Sequence, residues 1–290
     1  DTSSTQAGNG GAIAIWSELK TSVAGILKSM GGVLSGNGGF IETSSKGTVS
    51  LAATVSINTS ANNQTGKAGT WLLDPIDLTI DSATANLISA VLANSNVTIA
   101  VTNSTTACPI GSCTQNGTGS NSSLTIASGA DILKAGNNYT TLTLSSEGIF
   151  NLNANISGQN LDVIIQSSIA YLNVGTSINA SKVTVQAQTI YAQGSIQTSN
   201  YLLGANPGSL GNAIQLLAQA IYVSGTLSLN GSLPMNSASV VTVGGVAKRP
   251  EELPSYLASL NADQNLNLVY SSTAANDANA VISASINNNV

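Results

Sequence analysis

The chain has 290 residues and is rich in hydroxyl and amide side chains, with 42% hydrophobic residues but only 7% charged ones. Its eight lysines and arginines are scattered and the net charge is −5, which excludes the clustered basic face that nucleic-acid binding needs. It contains no histidine, so Ser-His-Asp hydrolysis, Cys-His catalysis and ordinary zinc catalysis cannot operate in their usual forms. No stretch approaches the roughly 18 consecutive apolar residues of a membrane helix. The N-terminus does not resemble a signal peptide, so we expect the chain to begin inside a longer precursor or after a cleavage.

Internal repetition begins near the N-terminus. Residues 8 to 17 match residues 36 to 45 at an offset of 28, and each copy opens on Gly-Asn-Gly-Gly, whose glycines tolerate a positive φ in sharp turns. Similarity at such a period indicates stacked structural units. Between the copies a few apolar residues have helical spacing, but the interrupting glycines favour another coil of strands.

Strict alternation of apolar residues follows at Val49 and Leu51, at Val55 and Ile57, and at Leu78 and Ile80. This period of two is the signal of strands with one buried face. Because so large an apolar fraction alternates regularly, we expect an ordered β-rich fold rather than disorder.

Two segments of this region resemble a known family. Residues 36–44, with the sequence GNGGFIETS, and residues 66–80, with the sequence GKAGTWLLDPIDLTI, are similar to a segment of filamentous-haemagglutinin-like exoproteins, large adhesins that bacteria export by two-partner secretion. The resemblance implies a right-handed parallel β-helix on the bacterial surface, with an outer-membrane two-partner-secretion transporter as partner. It is strong over residues 8 to 80 and one of general character to about residue 231. The Asn-Pro-Asn-Gly motif of the family's secretion domain is absent, and Asn206-Pro207-Gly208 resembles it only superficially.

A short helix is predicted over residues 82 to 95. Apolar residues recur at helical spacing from Leu87 to Leu92, and Asp81 or Ser82 can act as the N-cap. We expect this helix to cover an edge or one end of the sheet stack, because an uncovered strand edge pairs with other chains.

Three series of apolar residues recur from Leu124 onward. They are Leu124, Leu142, Leu161 and Val183; Ile149, Ile169 and Ile190; and Ile156, Ile178 and Ile196. Three strands per turn, each with alternate side chains inward, is the repeat of a parallel β-helix. Ile214, Ile221 and Leu227 continue the three series at one common offset of 31, so an insertion must bulge out near 201–211. About a dozen such turns spaced about 4.8 Å apart would form a stiff rod about 60 Å long.

The pattern weakens past Met235, although residues 266–270 and 281–286 have the character of final strands and 248–260 that of a short charged helix. Terminal repeats of solenoids are atypical. We therefore predict a parallel β-helix over residues 1–243, with loop insertions near 103–123 and 201–211, and a C-terminal cap or junction segment over 244–290.

The two cysteines, Cys108 and Cys113, are separated by four residues, which is too many for a Cys-x-x-Cys redox motif. Without histidine they cannot complete a zinc site. Because the resemblance implies export to an oxidising compartment, we expect a disulfide between them. The alternative is two unrelated free thiols.

Tyrosines are the first candidates for contact with a partner. Tyr171 and Tyr191 follow two apolar residues at nearly equal phase, so they either form a carbohydrate-stacking or self-association strip on an outer face or fill space at a coil corner. Tyr139 is a further contact candidate, as are Tyr201 and Asn206 in the second insertion.

The 13 acidic residues are dispersed, unlike the carboxylate groups of polysaccharide-cutting β-helix enzymes. In the closest distinctive pair, Asp74 and Asp77, we expect the Asp74-Pro75 step to make a turn in which the carboxylate accepts backbone hydrogen bonds. A calcium site at Asp74, Asp77 and Asp81 is an alternative, because hard cations prefer clustered oxygens.

These features favour a non-enzymatic, secreted adhesin segment without a cofactor. Its stiff, hydroxyl-rich rod would attach to a host or matrix glycan or protein, in cell-cell contact or biofilm. The alternative is a structural subunit that polymerises end to end into an extracellular filament. A polysaccharide-degrading enzyme is disfavoured by the missing histidine and the scattered carboxylates.

Overall fold

The computed structural model describes residues 1–102, 122–199, 214–218, 220–223, 225–231, 241–243, 246–248, 266–272 and 280–286. These residues coil into three long, mainly parallel sheets, which confirms the predicted parallel β-helix. The first insertion lies almost wholly, and the second wholly, outside the described residues, as does the helix predicted near residue 250.

Strands are numbered in chain order, and each sheet is given in its spatial order. The first sheet contains β1 (Ala12–Ser17), β4 (Phe40–Ser45), β7 (Thr70–Asp74), β9 (Asn96–Val101), β12 (Thr140–Ser146), β15 (Leu161–Gln166), β18 (Lys182–Gln186), β21 (Ile214–Leu217), β24 (Val241–Val243) and β25 (Val246–Lys248). The second contains β22 (Ala220–Val223), β19 (Thr189–Ala192), β16 (Ile169–Leu172), β13 (Ile149–Leu152), β10 (Leu124–Ile126) and β8 (Leu78–Ile80). The third contains β11 (Ile132–Lys134), β14 (Ile156–Gly158), β17 (Ser177–Ala180), β20 (Ser195–Ser199), β23 (Thr226–Gly231), β26 (Leu266–Ser272) and β27 (Ala280–Ile286). In the first two coils, β2 (Lys20–Val23) pairs with β5 (Thr48–Leu51), and β3 (Ile26–Lys28) pairs with β6 (Ser56–Asn58).

Columns of inward-facing side chains form the core. In the first sheet one column is fully buried along its length, and consecutive members are paired across neighbouring strands: Ile41, Trp71, Val97, Leu142, Val163, Val183 and Ile214. Each fully buried aliphatic side chain contributes about 1.5–3 kcal/mol before its entropy cost. The stack is therefore held by hydrophobic contacts along its axis as well as by the backbone hydrogen bonds between coils.

The N-terminal repeat is confirmed at its predicted offset, because Ala12 of β1 pairs with Phe40 of β4. Gly36 adopts a φ of +117°, a conformation that a side chain rarely permits. Gly38 is required for a different reason, since a Cβ there would overlap the carbonyl oxygen of Thr59. The glycine signal thus marks close approach between coils as well as turns.

All three registers predicted in the first apolar series are wrong. Leu124 lies in the second sheet, paired with Phe150, whereas it was expected in the strand that contains Leu142. Leu142 pairs with Val163, so the predicted alignment with Leu161 was two residues out of register. Val183 also pairs with Val163 and not with Leu161.

The second apolar series is also partly wrong, because Ile149 and Ile169 face outward while Phe150, Ala170 and Ile190 line the core. The third series is confirmed, as are the three equal offsets that lead to Ile214, Ile221 and Leu227.

Over the described residues, the stack has fewer turns than the dozen predicted. The first sheet contains nine parallel strands, β1 to β24, which at about 4.8 Å spacing span about 40 Å. Coil length varies widely, since the coil from Val163 to Val183 is less than half as long as the coil from Val97 to Leu142. Long coils and insertions use the chain that a uniform repeat would have given to further turns.

The predicted helix, α1 (Ser82–Leu92), is confirmed with Asp81 as its N-cap, whose Oδ1 accepts a hydrogen bond from the N–H of Thr84 at 2.8 Å. The helix takes the place of a third strand in its coil and contacts both β6 and β11. The Ser89 hydroxyl accepts a hydrogen bond from the N–H of Leu133 in β11, at 2.9 Å. The helix therefore covers a strand edge, as predicted, but it does so within the stack rather than at one end.

The regular pattern ends in antiparallel pairs. β26 still continues the third sheet in parallel with β23, but β25 runs antiparallel to β24 and β27 antiparallel to β26. The predicted final strands are confirmed, and they form the atypical C-terminal end of the fold.

Replacing Asp81 by alanine should destabilise the chain by about 1 kcal/mol, because the N–H of Thr84 loses its capping acceptor. For a protein of this size that is about 2–4 °C in the midpoint of thermal unfolding, measured by circular dichroism. Asp81→Asn retains an acceptor oxygen and should stay close to the wild type. An equal loss in both variants would contradict the capping role.

Candidate functional site

The second sheet presents the most distinctive outer surface of the described chain. Residues at one outward position of successive strands are in register: Thr79, Thr125, Asn151, Tyr171 and Tyr191. In the next strand, Tyr222 pairs with Tyr191. Tyr171 and Tyr191 are half-buried on this face, while their neighbours Ala170 and Ile190 point into the core. We call Tyr171, Tyr191 and the Tyr222 position the tyrosine strip. The two tyrosines lie on a sheet face, so the expectation that they fill a coil corner is wrong.

The two rings of the strip stack on each other. Their centroids are 4.9 Å apart and their planes differ by 6°. The separation equals the distance between neighbouring strands, and rings lying side by side in one plane could not approach so closely. The inner ring faces therefore meet along the axis of the stack, and a ligand on this surface would lie against ring edges. A sugar lying flat against either inner ring face is excluded.

The strip is flanked by uncharged columns. On one side Ile149 and Ile169 pair with each other on the outer face. On the other, the Asn173 amide donates to the Asn153 side-chain oxygen at 2.8 Å. The tyrosine strip thus has apolar side chains on one side and amide side chains on the other.

A shallow polar groove lies at the corner where the first sheet turns into the second. Three successive coils line it with residues 145–147, 166–168 and 186–188, which are mostly serine and glutamine. Glu147 is the charged residue among the residues that line it. Because Ser168 and Gln188 directly precede strands β16 and β19, the groove continues into the face that carries the tyrosine strip. Together they form one surface with few charges and many hydrogen-bonding groups, suited to a neutral ligand.

Tyr139 is not part of this surface. Its hydroxyl donates a hydrogen bond to Asp162 Oδ1 at 2.6 Å, where strands β12 and β15 begin in the middle of the first sheet. Burial raises the pKa of Asp162, while this hydrogen bond and the positive charge of Lys182 oppose the rise. Tyr139 is therefore engaged in holding a partly buried carboxyl group.

The other predicted site residues lie outside the described part of the chain. These are Cys108, Cys113, Tyr201 and Asn206. Their pairing and contact roles stay predictions.

The structure does not bring Asp74, Asp77 and Asp81 together. Asp77 Oδ1 accepts a hydrogen bond from the Ser123 N–H at 2.8 Å, and Asp81 caps α1. Asp74 is buried and accepts from the Thr102 hydroxyl at 3.3 Å, where a backbone donor was expected. Among the described residues no group of three or more His, Cys, Asp or Glu side chains could hold a metal ion.

Sequence reasoning missed a buried acidic residue beside Asp74. Glu42 lies on the outer face of β4, next to β7, and is fully buried. Burial, opposed by a hydrogen bond from Thr102 and reinforced by the charges of Glu42 and Glu147, raises the pKa of Asp74 to about 8. Burial also raises the pKa of Glu42. Aligning residues 39–45 with 69–75, which occupy equivalent positions in successive coils, was the available signal.

Across the described ranges, no helix is long and apolar enough to span a membrane. No protein-family model, curated protein or solved structure matches the chain.

The raised pKa of Asp74 predicts a loss of stability with rising pH. Between about pH 4 and pH 8 the folded chain keeps a proton that the unfolded chain releases, so unfolding becomes easier as the pH rises. The midpoint of thermal unfolding should fall by several degrees from pH 5 to pH 8 when it is measured with a chelator that removes free divalent cations. Asp74→Asn should make the midpoint less dependent on pH. The exposed residue Asp77 supplies the control, because Asp77→Asn should keep the wild-type slope. An unchanged slope in Asp74→Asn would contradict the assignment.

Proposed function

We propose that the chain is a segment of a secreted bacterial surface adhesin, in which the β-helix holds a binding face for attachment to a glycan or protein of the host, the matrix or another cell. The observation that carries this proposal is the surface formed by the tyrosine strip and the adjoining groove. Support also comes from the resemblance of residues 36–44 and 66–80 to filamentous-haemagglutinin-like exoproteins. That resemblance makes an outer-membrane two-partner-secretion transporter the proposed export partner.

The stacked coils suit attachment because they repeat a contact at fixed spacing. Each coil places a similar side chain about 4.8 Å further along the axis, so an extended polymer can meet several equivalent positions at once. Simultaneous weak contacts raise the overall affinity well above that of any one of them. Binding by a surface with few charges should also change little with salt concentration, because salt screens interactions between charged groups.

The geometry of the strip favours a ligand that lies across ring edges. Glutamine and serine side chains of the groove offer hydrogen-bond donors and acceptors. A neutral polysaccharide has matching hydroxyl groups along its length. A non-enzymatic role agrees with the acidic residues as they are placed, since Asp74, Asp77 and Asp162 each serve a structural hydrogen bond.

Replacing both tyrosines, in Tyr171→Ala with Tyr191→Ala, should reduce binding to neutral polysaccharide arrays and to intact cells at least about tenfold. Losing about 1.4 kcal/mol of contact with the two rings gives this factor. The matched control is Thr143→Ala, which removes a similarly half-buried outward side chain from the first sheet. Equal binding by the double variant and the control would place the contact surface elsewhere.

A second candidate function, the subunit of an extracellular filament, is favoured by apolar side chains on the first coil. Leu19, Ile26, Val33 and Leu34 are 83%, 64%, 55% and 70% exposed. β1 is also an edge strand of the first sheet. An apolar end that docks on a different end of the next molecule gives an open, growing assembly.

Sedimentation velocity across a concentration series separates the two functions. A filament subunit should grow with concentration, and Leu19→Asp with Leu34→Asp should abolish the growth, because a charge cannot be buried unpaired at the contact. A concentration-independent monomer in both chains would leave the adhesin proposal and reject the filament.

A further inference from the structure

On the outer face of the first sheet, the side chains where β4 pairs with β7 are unusually well shielded from solvent. Elsewhere on this face outward residues are half-exposed, as in the alternating pattern of β12. Here Glu42, Ser44 and Asp74 all lie on the outer face and are at most 1% exposed. Three polar side chains on one face are thus removed from solvent together.

Glu42 lacks compensation for this burial. Among the described residues, neither of its carboxylate oxygens has a hydrogen-bond partner, and the buried hydroxyl of Ser44 has none either. Ser44 lies close enough to Glu42 to affect its pKa, although the two do not meet in hydrogen-bonding geometry. The lysine nearest in sequence, Lys46, instead pairs with Glu18 at 2.9 Å. A buried carboxylate without a partner costs several kcal/mol.

The same register supplies further oxygens. Ser44 pairs with Asp74 across β4 and β7, which places Glu42 two residues away on the same face. Thr102, just after β9 in the next coil, brings its hydroxyl to 3.3 Å from Asp74 Oδ1. Two carboxylates and two hydroxyls from three successive coils therefore converge, with no sulfur or imidazole in the group.

We propose that Glu42 and Asp74 bind one calcium-sized divalent cation, with the hydroxyl oxygens of Ser44 and Thr102 completing its coordination. Two carboxylates balance the double charge, and four carboxylate oxygens with two hydroxyls reach the lower end of the six to eight ligands that Ca²⁺ takes. Mg²⁺ fits less well, because it demands near-ideal octahedral geometry and gives up its water reluctantly. The site differs from the Asp74, Asp77 and Asp81 trio, which the fold separates.

The cation would act as a cross-link between coils. It would join β4, β7 and the end of β9, and it would remove the repulsion between two buried negative charges. Millimolar affinity would suffice for an extracellular module. This inference does not depend on the ligand of the tyrosine strip, because the site lies on a different sheet.

Terbium(III) serves as the probe, because a bound ion emits when a nearby indole is excited. Trp16 pairs with Ser44 across β1 and β4, so it lies next to the site. At pH 8 we expect a sensitised emission that saturates at one ion per chain and is displaced by Ca²⁺ more effectively than by Mg²⁺. Calcium at about 5 mM should also raise the thermal midpoint over that in a chelator, by about 2–4 °C for a millimolar dissociation constant.

Glu42→Gln and Asp74→Asn should each lose the terbium signal and the calcium-dependent shift, while Asp77→Asn keeps both. The wild-type titration needs no variant, so a misfolded variant cannot hide the result. Absence of both effects in the wild type would overturn the proposal and show that protons alone neutralise the two carboxyls. Loss in Asp77→Asn with retention in Glu42→Gln would also overturn it, because the ion would then bind elsewhere.

Discussion

The constraint on which the whole structure depends is the register between coils. A strand that slipped by one residue would exchange its inner and outer side chains, and the buried column from Ile41 to Ile214 would be broken at that coil. The column is continuous although its longest coil, from Val97 to Leu142, is more than twice as long as its shortest, from Val163 to Val183. Variation is therefore confined to corners and insertions, where the backbone can leave the stack without disturbing it.

Helix α1 follows from the same constraint. An α-helix satisfies its backbone hydrogen bonds internally, so it can stand where the third sheet lacks a strand. The helix cannot offer a row of backbone hydrogen-bond partners to the neighbouring strands. Side chains make those hydrogen bonds at the strand edges instead. Ser89 meets the N–H of Leu133, and Ser95, just beyond the helix, meets the N–H of Thr59. The coil is thus interrupted without leaving these two backbone groups unpaired.

The sequence predicts the fold well where apolar residues occupy only every second position of a strand. The third series and the equal offsets to Ile214, Ile221 and Leu227 are of this kind, and both are confirmed. Prediction fails where two consecutive residues are both apolar, as at Ile149-Phe150 and Ile169-Ala170, because the pattern then does not show which of the two faces the core. Packing decides these cases: Phe150 fills the core so fully that the residue above it is small, and Ala170 occupies that place while Ile169 turns outward. Such volume matching between one coil and the next is invisible to a local pattern.

The same reasoning explains what was found and missed at the candidate sites. Tyr171 and Tyr191 were recognisable because they are one coil apart in the sequence. Residues at that separation lie next to each other on adjacent strands of the stack. Asp74 was grouped with Asp77 and Asp81, its neighbours along the chain, yet a corner turns neighbours in sequence toward different directions. Its true neighbours are Glu42 and Ser44, about one coil earlier. In a β-helix, the side chains that form a site come from paired positions of successive coils and not from one continuous sequence motif. A search for sites must therefore follow the register between strands.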